Sequence, residues 1–228
     1  MIDDKLTKKY EYFCIFVLLY SIYRWFKDLT MEATYTGKHT KAVQHNLMMG
    51  FILFVLSEVM VFFGIFWSYL YYKIAPTPAI GGVWPPKGMS APSPWGIALA
   101  NTIILVYSGK IVNIALKAVR GQQRSILLKS LFYTILLGAF FLSLQAVEYV
   151  YASFCISDSV FGSLFYFTTG AHGFHVFVGV CFLIVCWFRA YFSHFKADHH
   201  IGLIAAIAYW HFVDIVWIVV YFIYYVWV

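Results

Sequence analysis

Apolar side chains are concentrated in six stretches of the chain, divided by short segments that hold most of the charged residues. A helix needs about 20 apolar residues, with a range of about 17–25, to cross the hydrocarbon core of a bilayer, and tilting accommodates longer ones. The pattern therefore predicts an all-α fold, a polytopic bundle of six transmembrane helices in one membrane-embedded domain over residues 1–228. The predicted spans are about 10–26, 47–72, 97–116, 126–150, 160–188 and 203–227.

Turn and cap residues mark the ends of these predicted helices. All six prolines lie in the loop between the second and third spans, so no span contains a proline kink. Ser157 and Asp158, just before the fifth span, are N-cap candidates. Gly170, Gly173 and Gly179 within that span favour close helix packing, because small residues let two backbones approach.

The composition agrees with a membrane location. Hydrophobic residues make up 62% of the chain and charged residues 11%, whereas a soluble domain carries about 25% charged residues. A soluble fold of this length would need far more polar surface, so soluble classes are excluded. The four cysteines form no CxxC pair, and we interpret them as small core residues rather than as disulfides or metal ligands. They are Cys14, Cys155, Cys181 and Cys186.

The basic residues fall unequally on the two sides of the membrane. Alternation of six spans places eleven of the 16 Lys and Arg residues, Lys110 among them, on one side. The positive-inside rule puts that side in the cytoplasm or the mitochondrial matrix, and both termini then face outward. This distribution accounts for the net charge of +6 without nucleic-acid binding. The five on the other side are Lys5, Lys8, Lys9, Lys73 and Lys87.

Five of the eight histidines lie in segments on the basic side. Histidine titrates near neutral pH, so they either collect protons for a nearby channel or simply contribute loop polarity and headgroup contacts. They are His39, His45, His194, His199 and His200.

Six His, Asp and Glu side chains lie inside the second, fourth, fifth and sixth predicted spans. A charge at mid-bilayer costs about 2.5–3.5 kcal/mol on an insertion scale, so each must face protein, water or a partner. Histidine pairs and acid–histidine pairs three residues apart share one helix face. The six are Glu58, Glu148, His172, His175, His211 and Asp214.

Three interpretations of this intramembrane polar network are open. Two histidines and two carboxylates could bind iron, copper or zinc. The resulting alternative hypothesis is a free-standing membrane metalloprotein using His172, His175, His211 and Asp214. We favour hydrogen bonding between helices, because the sequence has no HExxH, CxxC or Glu-x-x-His motif. An ion transporter is the third hypothesis, and the chain lacks the repeats and broken helices of that class.

Glu58 has apolar neighbours on its own helix face, which favours the neutral acid. It is then either a structural hydrogen-bond donor or an acid that handles protons or gates lipid, and the residues leave both open. The neighbours are Phe51, Phe54, Val55, Phe62 and Ile65.

Several longer motifs run in the order typical of subunit III of cytochrome c oxidase. They are GKHTKAVQ, ILFVLSEVMVFFGIFWSYL, APTPAIGGVWPPKG, LQAVEYVYASFCISDSVFGS, TTGAHGFHVFVGVCFLIVCWFR and YWHFVDIVWIVVYFIYYVW. From about Trp25 to the C-terminus the chain resembles this family, and most of all its mitochondrial form. The resemblance implies a bundle without a catalytic or metal centre of its own, packed against subunit I, with haem a and copper in partner subunits.

The resemblance also implies a function. Members of the family are non-redox core subunits of the proton-pumping oxidase of the respiratory chain, complex IV. They hold phospholipids in a cleft, support proton uptake by subunit I and slow inactivation during turnover. The matching position makes Glu58 the family's buried, carbodiimide-reactive carboxylate. Lipid-binding roles carry over to Glu32, His39 and Arg189, and further to Lys27 and His194. The implied location is the mitochondrial inner membrane, with both termini toward the intermembrane space.

The chain departs from the family pattern around the lipid cleft. The family usually has seven helices, so six spans leave one helix where the cleft arm has two. Met31 stands at a position that is commonly arginine, and Lys38 replaces a histidine. We therefore expect a separate small helical subunit to pack beside residues 10–26.

Overall fold

A computed structural model describes residues 4–228, with side chains from residue 8 onward apart from Ala79. Within this range the regular secondary structure is helical, and the described residues form no strand. The helices are α1 (Asp4–Thr34), α2 (Lys41–Ile74), α3 (Ile97–Arg120), α4 (Arg124–Tyr151), α5 (Val160–Tyr191) and α6 (Ile201–Tyr221). A π-helical turn, Phe222–Val226, continues α6, and a 3₁₀ turn, Pro78–Ile80, lies in the proline-containing loop.

Among the described residues, five helices are long and apolar enough to cross a membrane, namely α2 to α5 and α6 with its π-helical turn. This confirms the all-α, polytopic bundle. The first predicted span, 10–26, lies in α1, which is not among the five. Glu11 and Arg24 leave only residues 12–23 uncharged, and such a short stretch falls below the length of a bilayer core. A membrane crossing by α1 therefore stays a prediction.

The chain divides into two compact units, residues 1–47 and residues 48–228. In the first unit every side chain from Lys8 to Asp28 is exposed, including the apolar Phe13, Phe16 and Leu18. A single membrane-embedded domain over the whole chain remains a prediction.

Four helices of the second unit form a closed bundle, in which α3 packs on α4, α4 on α5, α5 on α6 and α6 on α3. The rings of Trp210 and Trp217 in α6 are fully buried. Their indole N–H groups donate to α3, to Ser108 Oγ at 2.9 Å and to Thr102 Oγ1 at 3.0 Å. Because a buried N–H without an acceptor is costly, these bonds fix the depth of α6 against α3.

Close packing at glycine is confirmed in part. A Cβ added at Gly179 would lie 3.0 Å from the Trp210 ring, so α5 and α6 do approach closely there. Gly173 has open space within 4 Å and Gly170 one ordinary contact at 3.8 Å, so the prediction is wrong for Gly173. Gly138, which was not predicted, also packs closely, because an added Cβ would lie 2.5 Å from the Trp210 ring.

The N-cap of α5 differs from the predicted candidates. It is Ser159, whose side chain accepts the backbone N–H of Gly162 at 3.3 Å. Asp158 accepts the backbone N–H of Cys155 in the preceding turn instead. Ser157 and Asp158 are therefore wrong as caps, because cap geometry depends on where the turn before the helix ends.

The cysteines are all free, and they differ in burial. Cys186 is buried as expected, whereas Cys14, Cys155 and Cys181 are exposed, so the core interpretation is wrong for these three. A transmembrane helix also carries apolar residues on its lipid-facing side, so an apolar setting in the sequence does not predict burial.

Candidate functional site

Glu58 lies near the middle of α2, about 24 Å from either end at 1.5 Å per residue. Its Oε2 lies 2.8 Å from Nε2 of His175 in α5. The two side chains are 23% and 13% exposed. The structure thus gives this intramembrane acid a partner on another helix.

The second nitrogen of His175 defines how the pair shares its proton. His175 Nδ1 lies 2.7 Å from the carbonyl oxygen of Ala171, and because a carbonyl oxygen only accepts, Nδ1 carries a hydrogen. One proton then bridges Nε2 and the Glu58 oxygen. Whether that proton resides on the carboxyl or on the ring, the pair has no net charge, which suits an apolar medium.

Aromatic rings surround this pair. The ring centroid of Phe62 lies 5.1 Å from that of His175 in an edge-on arrangement, and that of Phe212 lies 6.3 Å away. Phe62 is one of the same-face neighbours predicted for Glu58, whereas Phe212 is brought in by α6. Such low-dielectric surroundings strengthen a hydrogen bond and raise the cost of leaving either group unpaired.

His172 is fully buried and serves a different contact. Its Nε2 donates to the carbonyl oxygen of Val213 in α6 at 3.2 Å. The rings of Phe141 and Trp217 lie at centroid distances of 5.6 and 5.1 Å. His172 and His175 thus connect α5 to two different helices, although they are only three residues apart.

The polar residues of α6 face α3. His211 Nε2 lies 3.0 Å from Asn113 Oδ1, while Asp214 Oδ2 is 3.7 Å from His211 Nδ1. A Cβ added at Gly109 would lie 2.5 Å from Asp214 Oδ2, so this glycine makes room for the carboxylate. Oδ1 of Asp214 is buried without a hydrogen-bond partner among the described residues.

Lys110, counted above with the basic side of the membrane, also belongs to this region. It lies inside α3, about 15 Å before the end at Arg120, and its side chain is exposed. Counting residues back from the basic pair Lys117 and Arg120 would have revealed this. The contact of Asn113 with His211 was not predicted, because asparagine is uncharged and does not stand out in an apolar stretch as a charged residue does.

Glu148 lies near the end of α4 and contacts Gln145 on its own helix, whose Nε2 donates to Glu148 Oε2 at 3.2 Å. Asn101 of α3 donates to Gln145 Oε1 at 3.5 Å. The intramembrane polar residues are therefore distributed over separate contacts between helices. Among the side chains that the structure describes, no three His, Cys, Asp or Glu residues could jointly hold a metal ion, so the metalloprotein alternative gains no support from this geometry.

Arg189 and His194 are the lipid-binding candidates of the second unit. The Arg189 guanidinium lies 4.6 Å from the centroid of the Phe195 ring, and a Cβ added at Gly202 would meet it at 2.6 Å. Its Nε is buried without a hydrogen-bond partner in the described part of the chain. The His194 N–H donates to the carbonyl of Arg189 at 2.9 Å. Partial burial, helped by the charge of Arg189, lowers the pKa of the His194 imidazole.

Lys27, Glu32 and His39 are the candidates of the first unit. Lys27 and Glu32 are exposed, and His39 is half-buried. Gln44 Nε2 donates to the carbonyl of His39 at 2.9 Å, and Thr36 Oγ1 donates to the carbonyl of Glu32 at 3.0 Å. These bonds order the turn between α1 and α2 and leave the charged groups of Lys27 and Glu32 accessible.

Comparison with known proteins points to one family. A family model described as cytochrome c oxidase subunit III matches residues 2–228. A curated protein of Triticum aestivum named cytochrome c oxidase subunit 3 is 48% identical over 201 residues, which cover 88% of this chain and 76% of the relative. Proteins of the same name from Prototheca wickerhamii and Ornithorhynchus anatinus are each 47% identical, covering 92% of this chain and 80% of each relative.

Proposed function

The chain belongs to the cytochrome c oxidase subunit III family, and from that premise we propose that it is a non-redox core subunit of the mitochondrial enzyme. In this role it packs on subunit I, binds phospholipid, supports proton uptake by subunit I and protects the enzyme against inactivation during turnover. Haem a and copper belong to partner subunits. The chain resides in the mitochondrial inner membrane with both termini toward the intermembrane space.

The observation that carries this proposal is that the intramembrane polar groups form contacts between neighbouring helices. Glu58, His172 and His211 each contact a different helix rather than converging on one centre. Hydrogen bonds of this kind hold transmembrane helices together, because each group would otherwise meet lipid. A scaffold of this type supports the oxidase by position and packing.

Glu58 acts in this proposal as the donor or ion-pair partner that holds α2 to α5. The single bridging proton with His175 supports a neutral pair. This pair is also the intramembrane group best placed to take part in proton handling, because its proton can move between oxygen and nitrogen over 2.8 Å.

Phospholipid binding is proposed at Arg189 and His194 and at Lys27, Glu32 and His39. The Arg189 guanidinium supports this assignment, because no carboxylate in the described part of the chain forms an ion pair with it, and a phosphate would supply a charged acceptor. The helix that carries Arg189 ends two residues later, at Tyr191, at a depth where lipid headgroups lie.

A separate small helical subunit is proposed beside residues 10–26. The exposed apolar side chains of α1 support it, since Tyr12, Phe13 and Phe16 are each more than 60% exposed. A structure of the assembled enzyme in which lipid alone borders this helix would refute it.

The first experiment is a reduced-minus-oxidised spectrum of material purified through a tag on this chain in mild detergent. Haem a bands are expected, because the haem-bearing subunit would copurify. Purified chain without a haem signal, in preparations where subunit I is still present in the membranes, would contradict assembly with an oxidase.

A second experiment addresses the lipid site. Arg189→Ala should reduce the anionic phospholipid retained by the purified complex, as measured by mass spectrometry. The matched control is Arg120→Ala, which removes an exposed arginine near the same end of the bundle. Equal lipid content in both variants would remove the assignment of Arg189.

A further inference from the structure

The face formed by α3 and α6 carries a lysine near the middle of α3, a helix long enough to cross a membrane. Lys110 lies about 15 Å from the end of α3 at Arg120. His211 lies about 15 Å from the start of α6 at Ile201. Asn113 joins the two helices there by its contact with His211 at 3.0 Å. Lys110 and Asn113 are three residues apart on one face of α3, and with His211 they form one polar patch.

Apolar side chains extend this patch into a continuous face. On α3, Ile103, Tyr107 and Ile114 are 61%, 57% and 47% exposed, and they share a stripe with Lys110. On α6 the exposed stripe continues from His211. It comprises Ile215, Ile218 and Phe222.

Lys110 has no charge partner in the described part of the chain. None of the carboxylates described there forms an ion pair with it. Asp214 of α6 packs against Gly109, the residue before Lys110, but it is buried with 7% exposure. The Lys110 side chain is exposed, so the two side chains lie in different environments. Lipid cannot take this role easily, because a lysine side chain reaches about 6 Å and headgroup phosphates lie beyond the hydrocarbon core.

We propose, resting on the proposed function as an oxidase subunit, that the α3–α6 face centred on Lys110, Asn113 and His211 docks a transmembrane helix of another subunit. That helix presents an aspartate or glutamate to Lys110. The stripes of apolar side chains supply the packing surface, and the charge pair fixes the register of the partner helix. Intramembrane charges pair with one another for this reason. Asn113 and His211 add polar contacts beside the pair.

The test compares retention of this chain on the purified oxidase complex, normalised to its amount in the membrane. Lys110→Leu should lower retention about tenfold or more, because it leaves the partner carboxylate buried and unpaired. Lys110→Glu should lower it further through repulsion, and Lys110→Arg should retain the chain. The control is Lys117→Leu, an exposed lysine seven residues further along the same face.

Lys110→Leu distinguishes a lysine that docks a partner helix from one that faces lipid, because leucine is more stable than lysine in contact with lipid. If Lys110 simply faced lipid, Lys110→Leu would leave retention unchanged or raise it, and that result would overturn the proposal. Normalisation to the membrane amount separates loss of docking from failed insertion. Failure of the haem spectrum would instead bear on membership of the oxidase itself.

A zero-length cross-link identifies the partner. Dicyclohexylcarbodiimide enters the bilayer, activates carboxyl groups and lets the Lys110 amine form an amide, while the reagent takes up the water as a urea. Mass spectrometry should find Lys110 joined to an acidic residue in a transmembrane segment of another subunit. A link to Asp214, a link to a second copy of this chain, or no link at Lys110 would each overturn the proposal.

Discussion

Two acid–histidine pairs inside the bundle combine the same side-chain types in different ways. Glu58 and His175 join α2 to α5 with an oxygen–nitrogen distance of 2.8 Å. Asp214 and His211 belong to one helix, and their nearest oxygen and nitrogen are 3.7 Å apart, which is beyond a hydrogen bond. In the first pair both groups are committed to each other, whereas in the second His211 turns to Asn113 on another helix.

The difference comes from what sets each distance. Residues three apart on a helix have Cβ atoms about 5–6 Å apart, fixed by the helix itself, and short side chains such as Asp and His must bend to meet. Residues on two helices approach as closely as the packing allows. Two residues three apart on a helix therefore share a helix face, but they do not necessarily form a hydrogen bond with each other.

The largest effect is expected from His175→Leu. It leaves the Glu58 carboxyl half-buried among aromatic rings without its partner, which should lower the free energy of unfolding by about 1–3 kcal/mol. The measurement is thermal unfolding followed by thiol labelling of Cys186, the buried cysteine, in a background where Cys14, Cys155 and Cys181 are serine.

The double variant Glu58→Leu/His175→Leu is the control for that change. Removing both partners leaves no unpaired polar group, so it should be more stable than His175→Leu alone. The coupling energy of the cycle should be about 0.6 kcal/mol, the average for hydrogen bonds between transmembrane helices, and no more than about 1.7 kcal/mol. Strictly additive losses would show that the pair contributes nothing as a pair.

The next effect concerns the space for Asp214. Gly109→Ala adds a Cβ only 2.5 Å from Asp214 Oδ2. Because this contact is too short, the substitution should lower the free energy of unfolding by about 1–2 kcal/mol, as overpacking does. The matched control is Gly173→Ala in α5, where the added Cβ meets nothing within 4 Å. Equal stability of the two variants in the same thiol-labelling assay would mean that α3 and α6 adjust freely.

A smaller effect is expected from Glu58→Gln. With Nδ1 of His175 donating to Ala171, Nε2 is free to accept from the glutamine amide. The loss should stay below about 1 kcal/mol, and the complex should assemble. A variant that fails to assemble in blue-native electrophoresis would show that Glu58 is held as a carboxylate beside a charged His175.

The smallest effect is expected from Asp214→Asn. Because neither carboxylate oxygen has a hydrogen bond among the described residues, exchanging the carboxylate for an amide of the same shape removes none and should change stability by less than about 0.5 kcal/mol, the contribution of a weak hydrogen bond. A loss above about 1 kcal/mol in the same thiol-labelling assay would show that Asp214 is charged and paired with His211, and the contrast between the two pairs would disappear.

Much of the fold could be predicted from the sequence, because long apolar segments have few alternatives in a membrane. Backbone groups in lipid must be satisfied within the helix, so the apolar stretches from 47–72 onward correspond closely to α2 to α6. The first stretch is harder, because Glu11 and Arg24 limit its apolar length. Buried and lipid-facing residues are equally apolar, so Cys181 and Gly173 were placed wrongly.

The candidate site could be predicted only as a set of residues. Glu58, His172 and His211 stand out in the sequence because charge and polarity are rare in apolar stretches. The partners of His172 and His211 do not stand out, since Val213 contributes a backbone carbonyl and Asn113 is an ordinary polar residue. His175 does stand out, but its pairing with Glu58 could not be predicted. Lys110 was counted with the basic side of the membrane although it lies inside the predicted span 97–116, and α3 extends four residues beyond that span, to Arg120.

The sequence by itself determined that this is a helical membrane protein of the cytochrome c oxidase subunit III family, because apolar length and ordered motifs are properties of the chain. Tertiary structure alone decided that Glu58 pairs with His175, that Asp214 lies against Gly109 and that Lys110 lies exposed on the α3–α6 face. Such pairings depend on the rotation and depth of one helix against another. Helix rotation and depth are set by side-chain packing between helices, as between Trp210 and Gly138. Residues that meet in this way are far apart in the sequence, so their spacing along the chain does not predict the contact.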